Sequence, residues 1–284
     1  MTKLILYYFN PKYGYFVTKT QFWWHIQDFG HTCITELQKQ HTFASTKSEI
    51  MEKKRIIAFG DSIVKGVITP DNNSYCITED NFVQECEQRL GVEVENCSRF
   101  GCTVKKGLEI VERSIAKLKN ADYAILGWGG NDCSFDWEKI ASNPDAEHEP
   151  LTSLEDFNST YKKIIAQVRS EGAEPILLSL PPINSNLYFD EVTRNMSGSG
   201  KSNVLKWLGG TTEYIQSWHE LYNLEVFKVG SDLGADVVDI TSAFLQKRNF
   251  GHFLCLDGMH PNEKGHQLIA DTLCDYCSRM MPAF

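Results

Sequence analysis

The sequence lacks features that would assign it to several large classes of proteins. No apolar run approaches the 18 or more residues that a membrane-spanning helix needs. Basic residues are outnumbered, with 28 Lys and Arg against 37 Asp and Glu, so a nucleic acid or an anionic membrane is not expected as a partner. No His, Cys and Asp residues have the spacing of metal ligands, and we expect neither a metal nor another cofactor.

A secretory leader and a disulfide framework are not expected either. The apolar patch LILYYF near the amino terminus is shorter than a signal-peptide core, and no small-residue cleavage site follows it. The nine cysteines have no regular spacing, which favours reduced thiols and a cytoplasmic protein. Cys274 and Cys277 form a C-x-x-C pair on the predicted last helix, where we expect them to pack into the core.

Residues 1–53 differ in composition from the rest and are interpreted as an extension. Eleven of the 33 aromatic residues lie between Tyr7 and Phe43. LILYYF and YGYFVT flank an Asn-Pro-Lys turn and predict a hairpin, residues 22–40 predict a helix, and a polar linker follows. So many aromatic rings need a surface to cover them, which is either the main domain or a second subunit.

Residues 54–284 alternate between predicted strands and helices. The predicted strands are Ile56–Phe59, Val92–Asn96, Tyr123–Leu126, Pro175–Leu180 and Asp236–Asp239. The predicted helices are Asn81–Leu90, Lys105–Lys119, Leu154–Glu171, Glu213–Leu233 and Asn262–Met280. Apolar strands that alternate with helices predict an α/β fold, in which helices cover both faces of a parallel sheet. Reactive groups are expected at the carboxyl ends of its strands.

A Gly-Asp-Ser tripeptide ends the first of these strands. Gly60, Asp61 and Ser62 follow IIAF directly, so the Ser62 hydroxyl is expected at the carboxyl edge of the sheet. A serine hydroxyl becomes a nucleophile only beside a base that takes its proton. Taken alone, Ser62 fits a helix cap or a turn equally well.

The segment CLDGMHPNEKGH, just before the last predicted helix, offers the base. Asp257 and His260 are three residues apart, and this spacing allows the carboxylate to orient the imidazole towards Ser62. Asp257 also fits a turn or cap residue. His252 and His266 are the alternative bases: the first precedes an apolar run, and the second lies inside the predicted helix.

Two further segments offer hydrogen-bond donors for a developing oxyanion. Gly101 follows the second strand and has a backbone N–H that no side chain shields. Asn131 follows the third strand and has a side-chain amide. Each residue also fits an ordinary turn. Asp61 and the neighbouring Asp132 are interpreted as structural carboxylates.

The four segments GDSI, NCSRFGCT, GGND and DGMH resemble, in order and spacing, the sequence blocks of the SGNH (GDSL-type) hydrolases. The resemblance covers residues 54–283 and departs from the family name only at Ile63, where the name has Leu. It implies a three-layer α/β/α, flavodoxin-like fold and an esterase or lipase activity. The family's hallmark residues fall on Ser62, Gly101, Asn131 and His260.

The resulting hypothesis is a serine esterase with a Ser62–His260–Asp257 triad and an oxyanion hole made by Ser62, Gly101 and Asn131. Phe100, Trp128, Tyr188 and Phe189 are candidates for the substrate pocket, and a long loop over residues 181–210 is a candidate lid. We expect a short acyl group, such as acetyl on a carbohydrate. Thioester hydrolysis, acyl transfer on the same site and a non-catalytic binding module are the alternatives. SGSGKS at residues 197–202 lacks the first glycine of a phosphate-binding loop.

Overall fold

A computed structural model describes residues 7–10, 15–18, 53–70 and 74–280. The chain divides into two compact units, residues 1–52 and 53–284. In the first unit, β1 (Tyr7–Asn10) and β2 (Tyr15–Thr18) pair antiparallel, with Phe9 opposite Phe16. These two strands lie in the segments for which the sequence predicts a hairpin. The helix predicted over residues 22–40 lies outside the described residues.

The second unit is built on a five-stranded parallel sheet. Its strands are β3 (Arg55–Gly60), β6 (Glu93–Asn96), β7 (Tyr123–Gly127), β8 (Glu174–Leu178) and β9 (Asp236–Val238). They are arranged in the order β6-β3-β7-β8-β9. In this order the chain reverses its winding direction between β3 and β7, and the crevice at the carboxyl ends of these two strands is where ligands bind in open α/β sheets.

Helices cover the two faces of the sheet and also the edge beyond its carboxyl ends. The principal ones are α1 (Ser62–Lys65), α2 (Phe82–Leu90), α3 (Val104–Arg113), α4 (Ile115–Leu118), α5 (Trp137–Ser142), α6 (Leu154–Ser170), α7 (Ser185–Val192), α8 (Gly198–Trp207), α9 (Glu213–Leu233), α10 (Ile240–Leu245) and α11 (Glu263–Met280). A small antiparallel pair, β4 (Val67–Ile68) and β5 (Cys76–Ile77), follows α1. Within the described part of the chain, no helix has both the length and the apolarity to cross a bilayer.

The alternation of side chains along the strands divides the core between the two faces of the sheet. Ile57 and Phe59 of β3 pack in the cluster that includes Tyr161 of α6. Ile56 and Ala58 face the opposite cluster, which contains side chains of α2 and α11. Both faces of a central strand are therefore covered, as a continuous apolar run in the sequence predicts. The α/β/α architecture expected from the sequence is confirmed.

The structure differs from the prediction mainly over residues 181–210. This segment was predicted to be a long loop, but it contains α7 and α8. Asn184 caps α7 by accepting a hydrogen bond from the Leu187 N–H at 3.2 Å, and Ser197 caps α8 by accepting one from the Gly200 N–H at 3.1 Å. These N-caps stabilise the first turns of α7 and α8, although the segment contains many serine and glycine residues.

The helix predicted over residues 105–119 is interrupted. It divides at Ser114 into α3 and α4, and the Ser114 N–H donates to the Val111 carbonyl with the tighter spacing of a 3₁₀ turn. The other predicted helices occur within a few residues of their expected bounds. The break leaves the carboxyl edge of the sheet unchanged, because α3 still begins directly after the Gly101 segment.

Candidate active site

Ser62 lies at the carboxyl edge of the sheet, in the first turn after β3. Asp61 caps α1, and its carboxylate accepts a hydrogen bond from the Ile63 N–H at 2.9 Å. At position 60 a side chain is excluded, because an added Cβ would lie 2.4 Å from Val64 Cγ2 and 2.6 Å from the Gly127 carbonyl oxygen. The Gly-Asp pair therefore allows the chain to turn sharply between two packed strands and directs Ser62 towards the crevice.

The loop before α11 holds Asp257 and His260 in a fixed arrangement. One carboxylate oxygen of Asp257 accepts hydrogen bonds from the backbone N–H groups of Met259 and His260, both at 3.0 Å. Leu254 and Pro261 form an antiparallel bridge that closes the loop. The three-residue spacing read from the sequence thus corresponds to a tight turn in which the acid organises the backbone around it.

Ser62, His260 and Asp257 form a continuous chain of hydrogen bonds. His260 Nε2 lies 2.8 Å from Ser62 Oγ, and His260 Nδ1 lies 2.6 Å from the second Asp257 oxygen. All three residues are buried, although 198 positions separate the serine from the histidine. With the Nδ1 proton donated to Asp257, Nε2 is left to accept the Ser62 proton, which is the arrangement that activates a serine.

The environment of Asp257 keeps its carboxylate ionised. Burial alone would raise the pKa of Asp257. The hydrogen bond and charge of His260, together with two backbone N–H donors, outweigh that effect, so the pKa of Asp257 lies below its usual value. A carboxylate that stays charged can stabilise the imidazolium formed when His260 takes a proton.

Thr69 is a member of this site that the sequence analysis missed. It follows β4, and its hydroxyl donates to the Asp257 oxygen that also contacts His260, at 2.8 Å. Its side chain is buried, and no motif marks it, because the contact joins residues 188 positions apart. Thr69 holds the acid in the orientation that His260 requires.

We expect Thr69→Val to lower kcat about tenfold, because a hydroxyl bond to a charged acceptor is lost while the shape of the side chain is kept. Thr69→Ser is the matched control, since it retains the hydroxyl, and it should recover most of the activity. The measurement is steady-state hydrolysis of p-nitrophenyl acetate. Equal rates for the Val variant and the wild type would show that Asp257 needs no such support.

Asn131 lies in the loop that follows β7, and Gly101 lies in the loop between β6 and α3, so both are beyond the carboxyl ends of their strands. The Asn131 amide donates to the Asp61 carboxylate at 3.2 Å and lies 3.5 Å from the Cys102 carbonyl oxygen. Gly101 has a φ of +62°, in the left-handed region, where a side chain would be strained, although open space surrounds the position. The glycine is therefore required by the direction of the backbone rather than by a close neighbour.

Two buried carboxyl groups surround the predicted oxyanion donors. Burial raises the pKa of Asp61 to about 6, against the opposing effects of the Ile63 N–H, the His260 charge and the Asn131 amide. Burial likewise raises the pKa of Asp132 to about 7. Both oxygens of Asp132 accept from the Val104 N–H, at 3.0 and 3.1 Å, so this acid ties the start of α3 to the loop after β7.

A narrow, mostly apolar cavity adjoins Ser62. Its volume is about 30 Å³, which is room for only a few atoms. Ser62 and Asn131 line one part of it. The rest of the lining is mainly apolar and aromatic and includes Phe135, Trp137, Leu180, Ile183, Tyr188, Leu208, Ile215 and Trp218.

The four candidate pocket residues occupy different places. Tyr188 lines the cavity, where its hydroxyl lies 3.1 Å from Ser134 Oγ. Phe100 is outside the cavity but near His260, with ring centroids 6.3 Å apart. Trp128 is fully buried in the core against Tyr161, and Phe189 packs beneath α8 in another cluster, so neither lines the cavity. Helical packing directs these last two rings away from the crevice.

The alternative bases do not reach Ser62. His266 stacks on Phe82 in the core, with ring centroids 5.9 Å apart, and His252 lies on the surface, where its ring contacts Asn249. Across residues 53–70 and 74–280, no three His, Cys, Asp or Glu side chains converge in a way that could hold a metal ion.

A comparison with protein families agrees with this geometry. The family model described as GDSL-like Lipase/Acylhydrolase family matches residues 58–268, which include Ser62, Asn131 and His260. The chain therefore belongs to the GDSL-like lipase/acylhydrolase family and is a hydrolase that acts on ester bonds. Among curated proteins, it is 28% identical over 240 residues to the uncharacterized protein YpmR of Bacillus subtilis (strain 168), covering 82% of this chain and 83% of that protein.

Solved structures share the fold at low sequence identity. A lipase/acylhydrolase from Enterococcus faecalis is 19% identical, with a TM-score of 0.58 over 81% of this chain and 99% of that one. A catalytic mutant of Axe2, an acetylxylan esterase from Geobacillus stearothermophilus, is 17% identical, with a TM-score of 0.54 over 80% and 95% of the two chains. The esterase EstA from Pseudoalteromonas sp. is 13% identical, with a TM-score of 0.52 over 81% and 100%.

Proposed function

We propose that the protein is a serine esterase that hydrolyses short-chain carboxylic esters through an acyl-enzyme. The observation that carries this proposal is the buried chain of hydrogen bonds from Ser62 through His260 to Asp257, with contacts of 2.8 and 2.6 Å. A serine in hydrogen-bond contact with a histidine that an acid orients is the arrangement of an activated nucleophile. Asp61, although close, lacks a contact with the Ser62 hydroxyl and serves the turn instead.

The reaction proceeds in two halves. His260 takes the Ser62 proton as Ser62 Oγ attacks the ester carbonyl, and the negative charge that forms on the carbonyl oxygen is held by the N–H groups of Ser62 and Gly101 and by the Asn131 amide. His260 then gives its proton to the leaving alcohol, which leaves an acyl group on Ser62. Water then attacks the acyl carbonyl as His260 takes its proton, and His260 returns that proton to Ser62 Oγ as the bond between the acyl group and Ser62 breaks, which releases the acid and restores the starting state.

The Asn131 amide donates to the Asp61 carboxylate at 3.2 Å and to the Cys102 carbonyl at 3.5 Å. The ester oxygen therefore competes with the longer of these two contacts when substrate binds. Because an amide carries two N–H groups, Asn131 can keep its bond to Asp61 and exchange the 3.5 Å contact with the Cys102 carbonyl for a bond to the substrate. On this interpretation Asp61 positions the donor, in addition to capping α1.

The size of the cavity and the surface near His260 support a short acyl group on a larger alcohol. A volume of about 30 Å³ suits a short acyl chain, such as acetyl, better than a long one. Tyr75 and Phe100, which are 43% and 54% exposed, lie with their ring centroids 5.4 and 6.3 Å from that of His260. An exposed aromatic pair beside the group that protonates the alcohol suits a sugar, and the name of Axe2, an acetylxylan esterase, agrees with this choice.

The oxyanion assignment is tested by Asn131→Ala. We expect kcat for p-nitrophenyl acetate to fall about 10²–10³-fold, because one donor to the transition state is lost. Asn120→Ala is the control, because this exposed amide lies just after α4 and donates to the Ala116 carbonyl at 3.0 Å. A folded Asn131→Ala variant with wild-type kcat would remove Asn131 from the oxyanion hole.

We also propose that the protein works in a reducing compartment. The eight described cysteines are free, including Cys86 and Cys274, whose sulfur atoms lie 3.7 Å apart without a bond. Cysteines that stay reduced are typical of cytoplasmic proteins. Most of these thiols are buried, so the test is alkylation under denaturing conditions of protein trapped directly from cells. Mass measurement should then show a label on every cysteine, and an unlabelled pair would contradict this assignment.

A further inference from the structure

A buried histidine lines the cavity beside Ser62 and has no hydrogen-bond partner among the described residues. His219 lies in the second turn of α9 and is 6% exposed, and it is one of the residues that line the cavity. In the described part of the chain, no hydrogen bond to its imidazole is found. Burial lowers its pKa to about 4, so the ring is neutral near pH 7 and offers one donor and one acceptor.

The position of His219 is fixed by its helix. One turn further along α9, the Asn223 side chain accepts a hydrogen bond from the Leu180 N–H at 2.8 Å, and this contact ties α9 to the segment that follows β8. Leu180 itself lines the cavity. His219 is therefore held at the wall of the cavity by a buried contact. Polar groups placed in an otherwise apolar pocket usually determine which ligand it accepts.

The cavity is on the acyl side of the reacting ester. Its lining includes Ser62, Gly130 and Asn131 but neither His260 nor Gly101. The leaving alcohol must approach His260 Nε2 to receive a proton, so it extends towards Tyr75 and Phe100, and the acyl chain is left to enter the cavity. An acyl chain that enters it shares the cavity with His219, which is one of the lining residues.

We propose that His219 is a specificity-determining residue, which hydrogen-bonds a hydroxyl at the end of a short acyl chain. The protein would thus favour esters of small hydroxy acids over esters of alkanoic acids of the same size. The cavity combines apolar walls for the carbon chain with three polar groups that lack a hydrogen bond to any described residue: the imidazole of His219 and the indole N–H groups of Trp137 and Trp218. An indole N–H can only donate, so His219 is the member of this set that also offers an acceptor to the proton of a hydroxyl group. This inference rests on the proposed function.

The test uses two pairs of p-nitrophenyl esters that differ only by a hydroxyl in place of a methyl group: glycolate with propionate, and 3-hydroxypropionate with butyrate. For each pair, the ratio of kcat/KM for the hydroxy ester to that for the alkyl ester is measured in the wild type and in His219→Phe. The intrinsic reactivity of each ester is the same for both proteins, so a change in the ratio isolates the pocket. We expect His219→Phe to lower the ratio about three- to tenfold in at least one pair.

His219→Gln, which keeps a donor and an acceptor, should retain part of the preference, and His219→Leu replaces the Phe variant if that does not fold. His266→Phe is the matched control, because His266 is another buried histidine whose pKa burial lowers to about 4, but it does not line the cavity. This control should leave both ratios unchanged. Unchanged ratios in His219→Phe and His219→Leu, with alkyl esters still cleaved, would overturn the role of His219 alone. A wild type inactive on all four esters would overturn the esterase proposal as well.

Discussion

Ser62→Ala and His260→Ala should each lower kcat for p-nitrophenyl acetate by roughly 10⁶, the loss typical of a serine–histidine pair that acts as a unit. Removal of either residue ends the proton transfer that makes the hydroxyl a nucleophile, so the double variant should be no worse than the single ones. Non-additivity of this kind distinguishes a shared catalytic step from two independent contributions. Steady-state assays of p-nitrophenol release measure kcat for the two single variants and for the double variant.

Covalent labelling tests whether Ser62 is the nucleophile without the need for substrate turnover. A serine-directed phosphonylating reagent should add one group to the wild type, and peptide mapping should place it on Ser62. His260→Ala should react far more slowly, and Ser62→Ala should not react. His252→Ala is the control for loss of an imidazole, because this ring is exposed and bonds only Asn249; its kcat should stay near that of the wild type. Labelling at another serine would show that Ser62 is not the nucleophile.

The sequence predicts most of the fold because the relevant signals are local. The buried strands are short runs of β-branched and other apolar residues. A glycine or a polar residue marks the end of each run in the sequence. The order of these strands places Ser62, Gly101 and Asn131 at one edge of a parallel sheet before any coordinates are known. Asp257 and His260 are predicted from a local signal too, since a three-residue spacing in a turn allows their contact.

The parts that the sequence analysis missed depend on long-range packing. Thr69 is an ordinary threonine until the chain brings it to Asp257, 188 positions away. His219 lies on α9, and the sequence of this helix does not show which of its faces lines the cavity. Trp128 and Phe189 were candidate pocket residues because of their position in the chain, yet helix packing directs both rings into the core. Local spacing carries no information on which aromatic ring turns inwards.

The helices α7 and α8 had a local signal that was outweighed by composition. Asn184 and Ser197 are favourable N-cap residues, each with the acceptor that a helix start needs. Glycine and serine in SGSGKS suggest a loop by propensity, because both residues disfavour helix interiors. Packing of Val204 and Leu208 against Ile183 and Ile215 supplies the burial that stabilises these helices.

Asp257→Asn should lower kcat by about 10⁴, a large loss that is still smaller than the loss of Ser62. The amide keeps the size of the carboxylate, and its oxygen can still accept from the Met259 and His260 N–H groups. Its NH₂ group would then face His260 Nδ1, which favours the tautomer with a proton on Nε2. That tautomer cannot accept the Ser62 proton, and the imidazolium loses the nearby negative charge that stabilises it.

Asp239→Asn is the matched control for this substitution. Asp239 also caps backbone groups, accepting from the Ser242 N–H at 2.9 Å at the start of α10, but it faces no histidine. A loss of capping alone would affect both variants in thermal unfolding, whereas only Asp257→Asn should lose kcat. If Asp257→Asn lost as much activity as Ser62→Ala, the carboxylate would have to take part in bond making rather than orient His260. If it lost none, the hydrogen bond between Asp257 and His260 would have no catalytic role.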